Sequence, residues 1–469
     1  MNNQGSINTV ISNGYCIGCG ACTAVTHSPY ILEFDQEGKY QAVQQNQVAT
    51  YMENFSSVCP FANQLENEDT VGNHLFGSIP NIHFNKYLGY YLKNYVGAVS
   101  LDAYRELGSS GGFGTWLSVV LLEERLIDFV IHVRPSSGSS RLFSYAISSS
   151  KEEIQQGAKS KYYPIELSKV LEIVRNTFGR YLLIGVPCFI KSIHLLSMQE
   201  SIFKERIVFT LGLVCGHLKT DRFTKSIGWE LGVFPDDLEY IDYRVKLPNS
   251  TANSYGVAIR GKGQDEVTIS PMKQTIVSNW GHGLFRYKSC DYCDDVLAET
   301  ADITIGDAWL PEYVKDGRGT NIVVVRNPII QEVIERHILD LSIVEISAEK
   351  VYQSQAGGFR HRREGLSYRL YLKDQKQEWR PQKRVKPTFA IPKKRKHIYE
   401  QRTPLLYIAN KAYEQALKAN DFSVFRKILE PALNSYNKLY RRSFLIRVCI
   451  LIVKKFKRYM SNVHVKRIP

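Results

Sequence analysis

At 469 residues the chain is too long for one small module and suits two or three domains with real cores. Its 44% apolar and 23% charged residues exclude a wholly disordered chain, a collagen and a low-complexity polymer. The net charge of +14 is lopsided: from Arg360 onward 29 Lys and Arg face 7 Asp and Glu, whereas the residues before it hold 31 basic and 39 acidic side chains, so electrostatic attraction of a partner belongs to the tail.

The first seventy residues are turn-rich, with Asn13-Gly14, Gly18, Gly20 and Ser28-Pro29 punctuating them. Such a stretch can hardly build a core alone, so residues 1–70 are expected to form a small domain organised by a metal centre. From about Tyr95 the texture changes. Residues 96–100 predict a buried strand, followed by a Gly/Ser turn and an apolar helix from Phe113 to about Arg125; 128–133 predict the next strand. Two more predicted strands, 181–185 and 207–214, run into Val186-Pro187-Cys188 and Cys215. Strands alternating with helical patterns suggest an α/β core over 90–355 with loops at the strand ends.

Residues 380–396, with three prolines and many cations, read as a basic extended linker. Residues 397–469 read as a basic helical tail, whose stretch 441–460 interleaves Phe444, Leu445, Ile446, Val448, Ile450, Leu451, Ile452 and Val453 with seven Lys and Arg. The expected fold class is therefore α+β, or mixed α/β: a ferredoxin-like N-terminal domain, a mixed-sheet core and a basic helical tail. No basic-apolar-small leader opens the sequence and no run of about 18 apolar residues occurs, so a cytoplasmic location is expected.

Nine cysteines without a leader argue for a reducing compartment and against a disulfide scaffold. In sequence order, eight form two groups of four: Cys16, Cys19, Cys22 and Cys59, then Cys188, Cys215, Cys290 and Cys293; Cys449 is left over. In C-x2-C-x2-C spacing, a tight loop over 16–22 wraps one corner of a cubane and gives three thiolates to three irons. Gly18, Gly20 and Ala21 leave room for backbone N–H groups to approach the sulfides. Cys59-Pro60 supplies the fourth ligand in the Cys-Pro form that closes such clusters. Zinc or free thiols remain the bland reading, but zinc usually shows paired C-x2-C units. Thr26 stands where a two-cluster ferredoxin carries another Cys-Pro, so this segment supports one cluster.

Cys290-Asp-Tyr-Cys293 is a weak signal alone. Its sequel, Ala301-Asp302-Ile303 to Gly306-Asp307-Ala308-Trp309, strengthens it, as do Gly185-Val186-Pro187-Cys188 and Cys215-Gly216-His217 at strand ends. With these motifs, Gly108-Ser109-Ser110-Gly111-Gly112 and Ser160-Lys161-Tyr162, the chain resembles the coenzyme F420 hydrogenase/dehydrogenase beta-subunit family from about Cys16 to Trp309. That family also takes in chlorophyll-modifying reductases. The resemblance implies FAD, preferred to FMN, and two [4Fe-4S] clusters, the second held by Cys188, Cys215, Cys290 and Cys293. Phe189 departs from the family, whose members commonly carry glutamine after that cysteine, and a polar contact there is in doubt. Cys449, in an apolar helical run, reads as a buried thiol without chemistry.

The 108–112 loop offers bare backbone N–H groups and a helix dipole to a phosphate, although ordinary helix-entry turns look the same and the pattern is not G-x-G-x-x-G. The resemblance raises Ser109, Ser110, Gly111 and Gly112 to flavin ligands, with Ser160, Lys161, Tyr162 and Asp307. Lys161 is the first choice for a cation near the flavin, whose reduced ring is anionic; a solvated charge run is the alternative. Asp307 could equally be a turn aspartate, and Asp302 comes with the same motif.

The expected activity is a flavin- and iron–sulfur-dependent oxidoreductase moving electrons between a ferredoxin- or F420-type carrier and an organic substrate. Relatives of this type often accompany surface-polysaccharide genes, so the implied substrate is a small molecule, a sugar or a lipid-linked glycan. The rival reading is a non-catalytic electron-transfer subunit of a larger redox complex. For the tail three readings stand: a peripheral helix on the inner membrane face, a docking surface for an acidic protein such as a ferredoxin, and a helix packed on the body with solvated cations. No base-reading motif accompanies the charge, so no nucleic acid is expected.

Overall fold

This computed structural model describes residues 5–45, 55–62, 65–101, 103–136 and 141–440. The segments Tyr181–Gly185, Ile207–Leu213 and Asn321–Val325 are nearly continuous apolar runs, the pattern of strands covered on both faces. They lie inside an eight-stranded sheet ordered Leu341–Glu345, Lys93–Val99, Asn321–Val325, Ile303–Asp307, Ile207–Leu213, Tyr181–Gly185, Phe129–Pro135 and Phe143–Ser148. Ile303–Asp307, Ile207–Leu213, Tyr181–Gly185 and Phe129–Pro135 pair in parallel, and the remaining pairings are antiparallel. The fold is thus α+β around a mixed sheet. Four parallel strands send their carboxyl ends to one edge, where sheets of this kind bind ligands. Cys188, Cys215 and Asp307 all emerge there.

Alternate residues of these strands face opposite layers. Leu182, Leu211, Ile303 and Val323 pack with Phe113, Trp116 and Leu117 of the helix Phe113–Glu123 and with the helix Pro328–Arg336. Tyr181 and Leu183 face the other way, against Ile190 and Ile193 of the helix Pro187–Gln199. That second layer also contains Ile7, Val10, Tyr15, Ile17, Tyr30 and Ala42. The N-terminal helix Ile7–Ser12 and the hairpin of Tyr30–Phe34 with Tyr40–Gln44 therefore bury their apolar side chains in a core shared with the large sheet.

A smaller antiparallel sheet, Leu238–Val245, Gly256–Gly261 and Thr268–Pro271, meets two C-terminal helices, Lys393–Ala419 and Phe422–Lys438. Asn420, at φ +50°, turns the chain between them. Tyr399, Leu405, Ala409, Tyr413, Phe425 and Leu429 from these helices share one core with Phe223, Tyr243 and Phe285. The first of the two helices begins at Lys393, inside the stretch whose composition suggests a linker. The amphipathic run 441–460 and Cys449 lie outside the described residues. Among the described residues no helix is long and apolar enough to cross a membrane.

Candidate functional site

The loop carrying Cys16, Cys19 and Cys22 turns sharply because Gly18 sits at φ +64°, and a Cβ there would stand 2.5 Å from the Tyr40 carbonyl oxygen. The loop faces Cys59, and all four cysteines line one cavity together with Ile7, Val10, Leu32 and Val58. The backbone N–H groups of Gly18 and Ala42 donate to Cys16 Sγ at 3.4 and 3.5 Å.

The second quartet gathers from three places. Cys188 lies in the first turn of the helix Pro187–Gln199, which Pro187 opens, so its thiol sits at the positive end of the helix dipole. Cys215 follows the neighbouring strand, and Cys290 and Cys293 lie on and just after the 3-10 turn Lys288–Tyr292. All four line a second cavity with Ser289, Leu218 and Arg362. The Leu218 N–H donates to Cys290 Sγ at 3.2 Å, and Arg362 Nη1 donates to Cys293 Sγ at 2.9 Å. Ile17 lines both cavities and so stands between the two quartets.

All eight are free cysteines. Burial holds Cys19 at about 11 and Cys59 and Cys290 at about 12, and pushes the other five thiols up as well. Four thiolates buried together repel each other and need a cationic core, so this donor set fits a metal group. Among the described residues no three His, Cys, Asp or Glu side chains converge on the point that one bare ion needs. The thiols instead line the walls of two cavities.

The C-terminal segment clamps the Cys290–Cys293 loop. Asp291 accepts from Arg286 Nε at 2.9 Å and Arg402 Nη1 at 2.8 Å, and its carbonyl accepts from Arg369 Nε at 2.8 Å. Asp294, fully buried, faces Arg384 at 3.3 Å and Lys383 at 3.7 Å. Arg384 also grips Glu299 at 2.6 Å, and Lys191 meets Glu68 at 3.2 Å beside it.

Beyond the second quartet, Gly216 packs under the Trp280 ring, which lies 4.6 Å from the His217 ring and 4.8 Å from that of Tyr162. Tyr162 leads to the glycine loop. Gly112, at φ +82°, opens the helix Phe113–Glu123, and the Phe113 N–H donates to Asn321 Oδ1 at 3.2 Å. Ser109 Oγ accepts from the Ser160 N–H at 2.8 Å, and Ser110 Oγ donates to the Thr320 carbonyl at 2.9 Å. Arg244, on the strand Leu238–Val245, joins the pieces: it donates to both Asp307 oxygens at 2.9 and 3.2 Å, to Ser109 O at 3.2 Å and to Tyr162 Oη at 3.4 Å. Lys246 reaches Ser110 O at 3.4 Å and the Arg105 carbonyl, and burial lowers its amine to about 8. The buried atoms Arg244 Nε and His217 Nε2 have no hydrogen-bond partner, as expected beside a group that would supply one.

Ser109, Tyr162 and Asp307 thus meet on Arg244 and Ser160 joins them through Ser109, while Ser110 bonds Thr320 and Gly111 and Gly112 pack against Asn321 and Tyr104. Lys161 is turned inward: its amine, lowered by burial to about 8, donates to the carbonyls of Gly157, Ala158 and Lys159. Asp302 ties strands together, accepting from Thr210 N at 2.8 Å and Asn327 Nδ2 at 2.8 Å. Phe189 is buried, its ring 6.3 Å from that of Tyr145. Arg244, Lys246, Trp280 and Arg362 were not legible in the sequence; each is a lone residue without a spacing signal.

A sheet edge gathering a cysteine quartet, a glycine loop and an Arg–Asp pair belongs to a redox-protein class. Residues 178–350 match the carboxy-terminal part of the family described as coenzyme F420 hydrogenase/dehydrogenase, beta subunit, and residues 94–172 match its amino-terminal part. Together these cover more than half of the chain, and the chain belongs to the coenzyme F420 hydrogenase/dehydrogenase beta-subunit family, a family of oxidoreductase components. An uncharacterized protein of Methanocaldococcus jannaschii is 24% identical over 238 residues, 50% of this chain and 80% of its own. A chain of the F420-reducing [NiFe] hydrogenase complex from Methanosarcina barkeri, solved in a xenon derivative, superposes with a TM-score of 0.47 at 17% identity, over 62% of this chain and 96% of that one.

Proposed function

We propose that this protein is a flavin- and iron–sulfur-dependent oxidoreductase. One observation carries the reading: first quartet, Ile17, second quartet, Gly216, Trp280, Tyr162, Arg244 and the glycine loop follow one another as neighbours. A bound flavin exchanges electrons singly or in pairs and a cubane one at a time, so together they join a one-electron carrier to a two-electron change in an organic substrate.

In this reading Cys16, Cys19, Cys22 and Cys59 hold one [4Fe-4S] cluster and Cys188, Cys215, Cys290 and Cys293 the other. The 108–112 loop, with Ser160 and Tyr162, receives FAD; the loop amides and the cations Arg244 and Lys246 suit its phosphates. Lys161 contributes charge through its loop, and Asp307 holds Arg244 in position. A ferredoxin- or F420-type carrier supplies or takes the electrons, and a small molecule or glycan is the substrate class. The rival, a relay subunit without a substrate of its own, is supported by the family's description as a beta subunit.

Anaerobic purification with iron, sulfide, zinc and flavin analysis tests the reading. About eight irons and one flavin per chain are expected, falling to about four irons in Cys59→Ser and in Cys290→Ser. Stoichiometric zinc without a yellow-brown chromophore overturns it. Flavin bleaching by reduced carrier, followed by reoxidation with substrate, separates the enzyme from the relay.

A further inference from the structure

Arg362 is 3% exposed and lies on the π-helical stretch Arg360–Glu364, a helix form common at functional positions. It stands outside the region matched to the family, which ends at residue 350. Its guanidinium donates to Cys293 Sγ at 2.9 Å, to Cys215 Sγ at 3.7 Å, to the Asp295 carbonyl at 2.7 Å and to the Gly216 carbonyl.

Among the nearby cations, Arg363 pairs with Glu299, Arg384 with Glu299 and Asp294, and Arg402 with Asp291, while the buried Arg369 and Lys219 donate to backbone carbonyls. Among the described residues no carboxylate pairs with Arg362, and the anions it faces are cysteine sulfurs. A buried cation needs a counter-charge, and a thiolate quartet provides one. The first quartet receives backbone N–H groups at Cys16 and no guanidinium among the described contacts.

We propose that Arg362 is a positioning residue that raises the reduction potential of the centre held by Cys188, Cys215, Cys290 and Cys293 above that of the N-terminal centre. This rests on the two-cluster reading. Each electron added to a cluster increases its negative charge, and a hydrogen-bonded cation stabilises the reduced form more than the oxidised one. The difference favours electron flow from the first quartet through Ile17 to the second, toward the glycine loop.

The test is an anaerobic, mediator-equilibrated dithionite titration of the full chain, followed by EPR, for wild type, Arg362→Gln and Arg362→Lys. Wild type is expected to show two one-electron midpoints. In Arg362→Gln one midpoint falls and the other stays, serving as the internal reference. Arg362→Lys keeps the charge but loses the fork, and the same midpoint falls by less; it decides the matter where the Gln variant does not load iron. Two unchanged midpoints in a fully loaded variant overturn the role of Arg362 and leave the two-cluster reading standing. Wild-type protein with only one centre overturns both.

Discussion

His132, on the strand Phe129–Pro135, is buried with its Nε2 2.8 Å from Ser148 Oγ. Burial, aided by the nearby charges of Lys161 and Arg134, lowers its pKa to about 4 from 6.5. The folded state therefore binds fewer protons than the unfolded one in that window. His132 leaves stability intact above pH 6.5 and removes it as pH falls toward 4, by about 3 kcal/mol. His132→Gln keeps a polar partner for Ser148 and should flatten the acid side of a denaturant-melt stability profile by that amount. Arg244 poses a different kind of test. Arg244→Ala leaves Asp307 unpaired and removes the bridge between Ser109 and Tyr162, so about 2–4 kcal/mol of stability should be lost and, on the proposed flavin reading, flavin content should fall at least tenfold. Absorbance of the purified protein and a thermal melt measure the two. The gathering of the cysteines around two cavities was legible because cysteine is a rare residue type and its spacings here are regular. Arg244 was not, because it is an ordinary cation on an ordinary strand, and only folding brings it to Asp307, 63 residues away in sequence.

At the scale of the element, regular strands and the Phe113–Glu123 helix follow from apolar pattern and turn residues, and their observed limits lie within a few residues of the predicted ones. Gly112 shows the constraint directly: a Cβ would stand 2.5 Å from the Tyr104 carbonyl oxygen, at a φ of +82°. Gly112→Ala should cost about 1–3 kcal/mol in urea unfolding. The stretch 380–392 was harder to anticipate. Prolines and cations give it the composition of a solvated linker, yet Arg384 is buried against Glu299, Asp294 and Asp69, residues 85 to 315 positions away. Arg384→Met removes the cation shared by Glu299, Asp294 and Asp69, leaves Arg363 and Lys383 to hold the first two, and should cost about 1–3 kcal/mol, where a change in an exposed linker costs under about 0.5. Local composition cannot reveal a partner that far along the chain.

Across the whole molecule, part of the charge asymmetry between an acidic body and a basic C-terminal part is answered within the fold. Arg363, Arg369, Lys383, Arg384 and Arg402 converge on Asp291, Asp294 and Glu299, the acidic surroundings of the second cysteine pair. The composition announced both charges without showing that they face one another. A chain ended after Phe359 should bind about four fewer irons than the full chain, while iron at the N-terminal quartet remains; iron and sulfide assays on both proteins measure the difference. The geography also sets an order of events during synthesis. The ribosome delivers Cys290 and Cys293 well before the arginines that neutralise the loop between and beside them. On the two-cluster reading, the N-terminal quartet can receive its inorganic core early, whereas the other waits for the cations between Arg363 and Arg402, so termination before them leaves a half-charged protein and not an inert one.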